Sequence, residues 1–109
     1  MTVQQLKDQL SLTALTLPDG EREIRGVYVG DLLSWVMGRA QSGDAWLTIM
    51  SNLNIVAVAT LSDVSCIILC EGVTLEESVR STAEAKGVNI LTTEAPAYET
   101  AKLLSELGL

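Results

Sequence analysis

The chain opens on Val3, Leu6 and Leu10, apolar positions three and four residues apart that share one face of a helix, with Thr2 and Gln5 at capping-box spacing ahead of them. This predicts a short first helix, a lid or docking element. From Leu12 to Leu17 apolar and small polar residues alternate, Pro18-Asp19-Gly20 supplies a turn, and Ile24 to Val29 can return as a second strand. The expectation is a hairpin. Gly30 to Gly38 has apolar residues at helical spacing, with Asp31 as N-cap and Gly38 as the stop. After the polar break Gln41-Ser42-Gly43-Asp44, the stretch Ala45 to Met50 predicts a strand carrying Trp46, Leu47 and Ile49.

Asn54 to Leu61 is ambiguous, because its β-branched residues favour a strand while its position favours a helix. Position decides. Ser51-Asn52-Leu53-Asn54 offers N-caps and Ser62-Asp63-Val64-Ser65 a polar stop, so a helix here joins its neighbours into one parallel β-α-β crossover. Cys66 to Cys70 is apolar throughout, as a strand covered on both faces is, and belongs at the centre of the sheet. Thr74, with Glu77 three residues on, opens a helix that Lys86-Gly87 closes. Val88 to Thr92 is the next strand, and Pro96 opens a last helix with Ala97, Ala101, Leu104 and Leu107 before Gly108. The fold class is therefore α/β: one small layered domain, residues 1–109, with a mainly parallel sheet flanked by helices.

Composition adds an expectation about assembly. The 109 residues are 48% hydrophobic but only 4% aromatic, without Phe, so Leu, Ile, Val and Ala must build the core. A domain of this length cannot enclose so large an apolar share, and some of Trp35, Met37, Trp46, Met50 and Tyr98 are expected near the surface, where a second copy covers them. The partner expected is thus another copy of the chain. A net charge of −7 repels a polyphosphate backbone, and the seven basic residues are scattered, so neither nucleic acid nor an anionic membrane is an expected partner. No apolar run reaches membrane-spanning length and no signal-peptide pattern is present, which makes the expected location cytoplasmic.

Little catalytic chemistry is on offer. There is no His, and the chain lacks a P-loop, a G-x-G-x-x-G fingerprint and a G-x-S-x-G elbow. On a strand, Cys66 and Cys70 would lie roughly 13 Å apart, too far for a disulfide or a shared metal. They read as small core side chains. No catalytic residue, metal ligand or cofactor is therefore assigned. What remains is geometry: in an open parallel sheet, ligands bind beyond the C-terminal ends of the strands. Ser51-Asn52-Leu53-Asn54, Glu71-Gly72-Val73-Thr74 and Thr92-Thr93-Glu94-Ala95 all fall there, each ahead of a helix N-terminus able to receive an anion or a small polar molecule. Asn52, Asn54, Glu71, Gly72, Thr93 and Glu94 are the candidate binding residues. A second reading stays open, in which Asn54, Thr74 and Glu94 only cap their helices.

Ala45 to Leu109 also resembles the DRTGG domain. The resemblance rests on the apolar strand ending at Gly72, the closure Ala85-Lys86-Gly87, then Val88-Asn89-Ile90-Leu91-Thr92-Thr93 and Tyr98-Glu99-Thr100-Ala101; Gly26-Val27-Tyr28-Val29-Gly30-Asp31-Leu32-Leu33-Ser34 is similar to the opening of small stand-alone bacterial members. It implies a fold like the N-terminal domain of HPr kinase, a module that accompanies phosphotransacetylases and CBS-containing pyrophosphatases, and a dimer. It carries no general activity, and the missing P-loop leaves a kinase activity unsupported. Where the naming motif has Thr-Gly-Gly this chain has Cys70-Glu71-Gly72, and Ser51-Asn52-Leu53 stands for Gly-Asp-Arg. An anion site there would lose an Arg and gain Glu71. The function expected is a non-catalytic regulatory or sensory domain acting as a homodimer, the alternative being a nucleotide, anion or other small-molecule binder, or a weak enzyme, using the strand-end loops.

Overall fold

Four strands run parallel because each is followed by a helix long enough to carry the chain back across the sheet. In a computed structural model describing all of residues 1–109, α1 (Val3–Leu10) precedes β1 (Thr13–Thr16), β2 (Gly26–Val29), α2 (Leu33–Arg39), β3 (Asp44–Thr48), α3 (Asn54–Ser62), β4 (Cys66–Leu69), α4 (Glu77–Ala85), β5 (Ile90–Thr92) and α5 (Ala97–Glu106). The strand order is β1-β5-β4-β3-β2, with β2 to β5 parallel and β1 antiparallel to β5. The Cys66 strand is indeed the middle one.

From β2 to β5 the chain steps one strand at a time in one direction, so right-handed crossovers place every connecting helix on the same face. Val36 of α2, Ile55, Val56, Val58 and Ala59 of α3 and Val79 and Ala83 of α4 pack there against Trp46, Ile67, Leu69 and Ile90. The alternate strand residues Ala45, Leu47, Cys66, Ile68, Cys70 and Leu91 face the other way, where Val3 and Leu6 of α1 and Leu104 of α5 cover them. Strands buried on both faces account for the apolar runs. The first helix is therefore a core element and not a lid: its Thr2–Gln5 capping box forms, and Val3 and Leu6 are fully buried.

The expected hairpin does not form. β1 and β2 occupy opposite edges of the sheet. The Pro18-Asp19-Gly20 turn exists, but a long-range anchor holds it: Asn89 accepts from Asp19 N at 2.9 Å and donates to Asp19 O at 2.8 Å and Ser65 O at 3.0 Å. Beside it β1 bulges, and the Thr16 hydroxyl donates to Val88 O at 2.7 Å while accepting from Ile90 N at 3.0 Å, filling the gap in the ladder. The outer edge of β1 is engaged by Arg80, whose Nε donates to Leu15 O at 2.7 Å.

Two helix starts also differ. Asp31 does not cap α2; its carboxylate accepts from Thr48 Oγ1 at 2.8 Å and Ile49 N at 3.0 Å instead, Leu32 is the N-cap, and the helix runs through Gly38 to Arg39. Thr74 does not open α4, which begins at Glu77 behind Glu76, although Lys86 closes it as expected. Of the residues expected near the surface, Trp35, Met37 and Tyr98 are exposed and Met50 is partly buried, whereas Trp46 lies wholly in the core with its indole N–H donating to Gly30 O at 2.9 Å. No helix is long and apolar enough to cross a membrane.

Replacing the buried Asn89 with Ala strands three backbone groups at once. We expect Asn89→Ala to lose about 3 kcal/mol in urea denaturation, and a loss below about 1 kcal/mol would show that water replaces the amide without difficulty.

Candidate functional site

The loops leaving β4 and β5 go opposite ways, to α4 on one face and α5 on the other. Such a divergence is where open α/β sheets form a ligand crevice. Here it is laced shut. Glu71 N donates to Ala95 O at 2.9 Å, Gly72 N to Thr93 O at 2.9 Å and Thr93 N to Leu69 O at 2.9 Å, and the Thr92 hydroxyl reaches Val73 O at 3.0 Å. Glu71 and Gly72 both take positive φ, 60° and 72°, with Val73 N returning to Cys70 O at 3.3 Å, the pattern of a type I′ turn. This turn aims two successive amides across the seam. The Glu94 carboxylate lies against the open side of Gly72, where an added Cβ would stand 2.6 Å from Oε2.

One pair of loops leaves a space open instead. The segments after β3 and β4 lead to the same face, and between them lies a groove of about 400 Å³ lined by Ser51, Asn52, Leu53, Thr74, Leu75, Glu76, Ser78 and Val79. Neither helix start beside it has a side-chain cap: Leu53 precedes α3 and Glu76 precedes α4. Asn52 Oδ1 accepts from Asn54 N at 2.9 Å, which occupies one donor of the α3 terminus. No Lys or Arg lines the groove, and Glu76 does.

Of the six sequence candidates, then, Glu71, Gly72, Thr93 and Glu94 gather at the closed seam, Asn52 lines the groove and Asn54 lies exposed in the first turn of α3. None of Asn54, Thr74 and Glu94 is a helix N-cap, those positions being Leu53, Glu76 and Pro96. Ser51, Thr74, Glu76 and Ser78 are the polar groove residues missing from the candidates; Ser78 lies in the first turn of α4, outside the loops from which the candidates were drawn.

The thiols are core groups. Cys66 and Cys70 are free and buried, and burial pushes Cys66 up to about 12. Burial also raises Cys70, opposed by a contact with the Thr100 hydroxyl and reinforced by the Asp31 and Glu71 carboxylates. Both shifts favour the thiol over the thiolate, as befits small side chains packed in the core. No three Asp, Glu or Cys side chains come together as metal ligands.

The class of molecule these features define is a small α/β module, five strands with helices on both faces, whose one switch-point crevice is closed by its own backbone. The chain belongs to the DRTGG domain family, whose model matches residues 11–107. Among solved structures it is similar to the CBS and DRTGG domains of the regulatory region of Clostridium perfringens pyrophosphatase, determined in complex with an activator, diadenosine tetraphosphate. The TM-score is 0.73 at 18% identity over 94% of this chain. Our chain spans 45% of that one, so the likeness concerns the fold. No curated protein matches the sequence.

The turn at the seam yields a test. A left-handed L-residue costs about 1–2 kcal/mol and the added freedom of an unfolded Gly about 0.5–1 kcal/mol. Because the Glu71 side chain is exposed, Glu71→Gly is expected to raise stability by about 0.5–1 kcal/mol, a few degrees in Tm. A lower Tm would mean that the carboxylate itself steadies the seam.

Proposed function

We propose that this chain is a non-catalytic regulatory domain that works as a homodimer. One observation carries the reading: nine large apolar side chains, each at least 41% exposed, remain on a domain of only 109 residues. Scattered apolar residues need no explanation, but these include Leu32, Trp35 and Met37 on and beside α2 and Leu53 and Leu61 on and beside α3, helices that pack side by side. The place of a DRTGG domain in the regulatory region of the pyrophosphatase supports a regulatory role. Sedimentation equilibrium at micromolar concentration is expected to give twice the 11.7 kDa chain mass. A mass of one chain, unchanged on concentration, would refute the dimer.

The open groove favours a second reading, the binding of a small polar ligand by Ser51, Asn52, Thr74 and Ser78. Diadenosine tetraphosphate binds the pyrophosphatase region, but a groove with Glu76 and no cation, on a chain of net charge −7, suits an uncharged ligand better than a polyphosphate. In thermal-shift titrations with nucleosides and nucleotides, we expect any stabilising compound to be the uncharged one, with its effect lost in Asn52→Ala combined with Thr74→Ala. Stronger stabilisation by the nucleotide would contradict this reading.

A further inference from the structure

We propose that Arg25, with Arg22 and Ser42 beside it, forms a binding site for the carboxylate of a small hydroxy acid, at the edge of the sheet where β2 and β3 begin. The site lies at the opposite end of the strands from the seam and the groove, and its ligand is independent of the dimer. A hollow of about 460 Å³ opens there, lined by Arg22, Glu23, Arg25, Ser42 and Gly43, with no apolar side chain among them.

The backbone carrying these groups is fixed from both sides. Val3 N donates to Arg22 O at 3.0 Å and Ile24 N to Met1 O at 2.9 Å, while Arg25 N donates to Gly43 O at 2.8 Å, just ahead of the Gly26–Asp44 register of β2 and β3. Ile24 between the arginines is buried in the core. Gly43 is buried at a φ of 89°, and an added Cβ there would stand 3.1 Å from Cγ and Cδ of Arg25, so the arginine stem lies across the glycine. Arg22 is held by the turn that precedes β4: its Nη1 is 2.9 Å from Asp63 Oδ1 and its Nη2 donates to Asp63 O at 2.7 Å. The Ser42 hydroxyl donates to the other oxygen of the same carboxylate.

The charges around the hollow do not cancel. Asp63 is answered by Arg22, and Glu23 by the terminal ammonium at 2.9 Å. Of the four arginines, Arg22 binds Asp63, Arg39 stacks on Trp35 and Arg80 donates to Leu15 O. The Arg25 guanidinium alone has neither ion pair nor hydrogen bond, in a chain with fourteen acidic residues against seven basic. One uncompensated positive charge suits one carboxylate, whose two oxygens match the guanidinium fork. Glu23 and Asp63 beside it oppose a dianion such as phosphate, and the chain charge of −7 opposes a polyphosphate further. The Ser42 oxygen, which donates to Asp63, can still accept, and this fits a hydroxyl donor on the same ligand. A wholly polar lining offers nothing to a hydrocarbon body or a nucleobase.

Glycolate, a carboxylate with one adjoining hydroxyl, is the probe. In NMR titrations of the intact chain at constant ionic strength, sodium glycolate is expected to shift the Gly43 amide resonance saturably, with the millimolar affinity open to a ligand of so few atoms. Arg25→Gln, at an exposed position and checked for wild-type Tm, is expected to weaken binding at least about tenfold. Lys102→Gln, which removes the same charge at a distant exposed position, is expected to leave it unchanged, and Arg25→Lys, which keeps the charge and loses the fork, to fall between the two. Shifts that stay linear in glycolate, that chloride reproduces, or that persist at full strength in Arg25→Gln would overturn the site. Tighter binding of inorganic phosphate than of glycolate would overturn its assignment to a carboxylate.

Discussion

The handedness of the crossover connection governs the architecture. Three successive right-handed crossovers moving one way across a sheet must deposit their helices on one face, so β2 through β5 with α2, α3 and α4 form a two-layer sheet with a naked apolar side. Cys66, Ile68, Cys70, Ala45, Leu47 and Leu91 point into that side. Only the chain ends can cover it. The N-terminus supplies α1, tied at its start by Val3 N to Arg22 O and Ile24 N to Met1 O, and the C-terminus supplies α5 after the one connection that turns the other way. The antiparallel β1 belongs to the same closure, since a chain arriving from α1 reaches the free edge of β5 running against it.

The candidate site inherits this asymmetry. A crevice opens in an open α/β sheet where consecutive loops diverge, and with all the crossovers on one face the divergence arises only where α5 departs, between β4 and β5. There the positive-φ pair Glu71-Gly72 turns its amides onto the β5 loop and fills the gap with hydrogen bonds. Both Glu71 and Gly72 sit at positive φ, where glycine is the residue least strained. Space for a ligand survives one loop over, between two connections that leave side by side and are laced by no such turn.

Much of the layering was legible because it depends on local pattern and length. The Cys66–Cys70 run marked the central strand, Thr2 and Gln5 marked the first cap, and the spacing of Asn54 between two strands identified α3 despite its β-branched residues. The hairpin failed because a turn signal fixes a reversal and not the partner strand; Asn89, seventy residues away, holds the Asp19 turn. Asp31 and Thr74 carried good capping chemistry, but Thr48 and Ile49 claimed the Asp31 carboxylate, and the β4–α4 loop runs on past Thr74 to Glu76. The site was half legible for a similar reason. Strand ends can be read from a sequence, whereas the grouping of their loops depends on which face each following helix takes.

The ambiguity of α3 in the sequence and its bare face in the structure have one cause. An ordinary surface helix advertises itself by alternating charge against apolar bulk, and α4 does so with Glu77, Arg80 and Glu84 outside and Val79 and Ala83 inside. In α3 that contrast is missing, because Ala57, Thr60 and Leu61 stand where charged residues would stand on a solvated face. β-Branched Ile55, Val56 and Val58 fit their helix through tertiary packing and not through propensity. A helix held in that way is insensitive to what its outer face carries. That face is therefore free to be apolar.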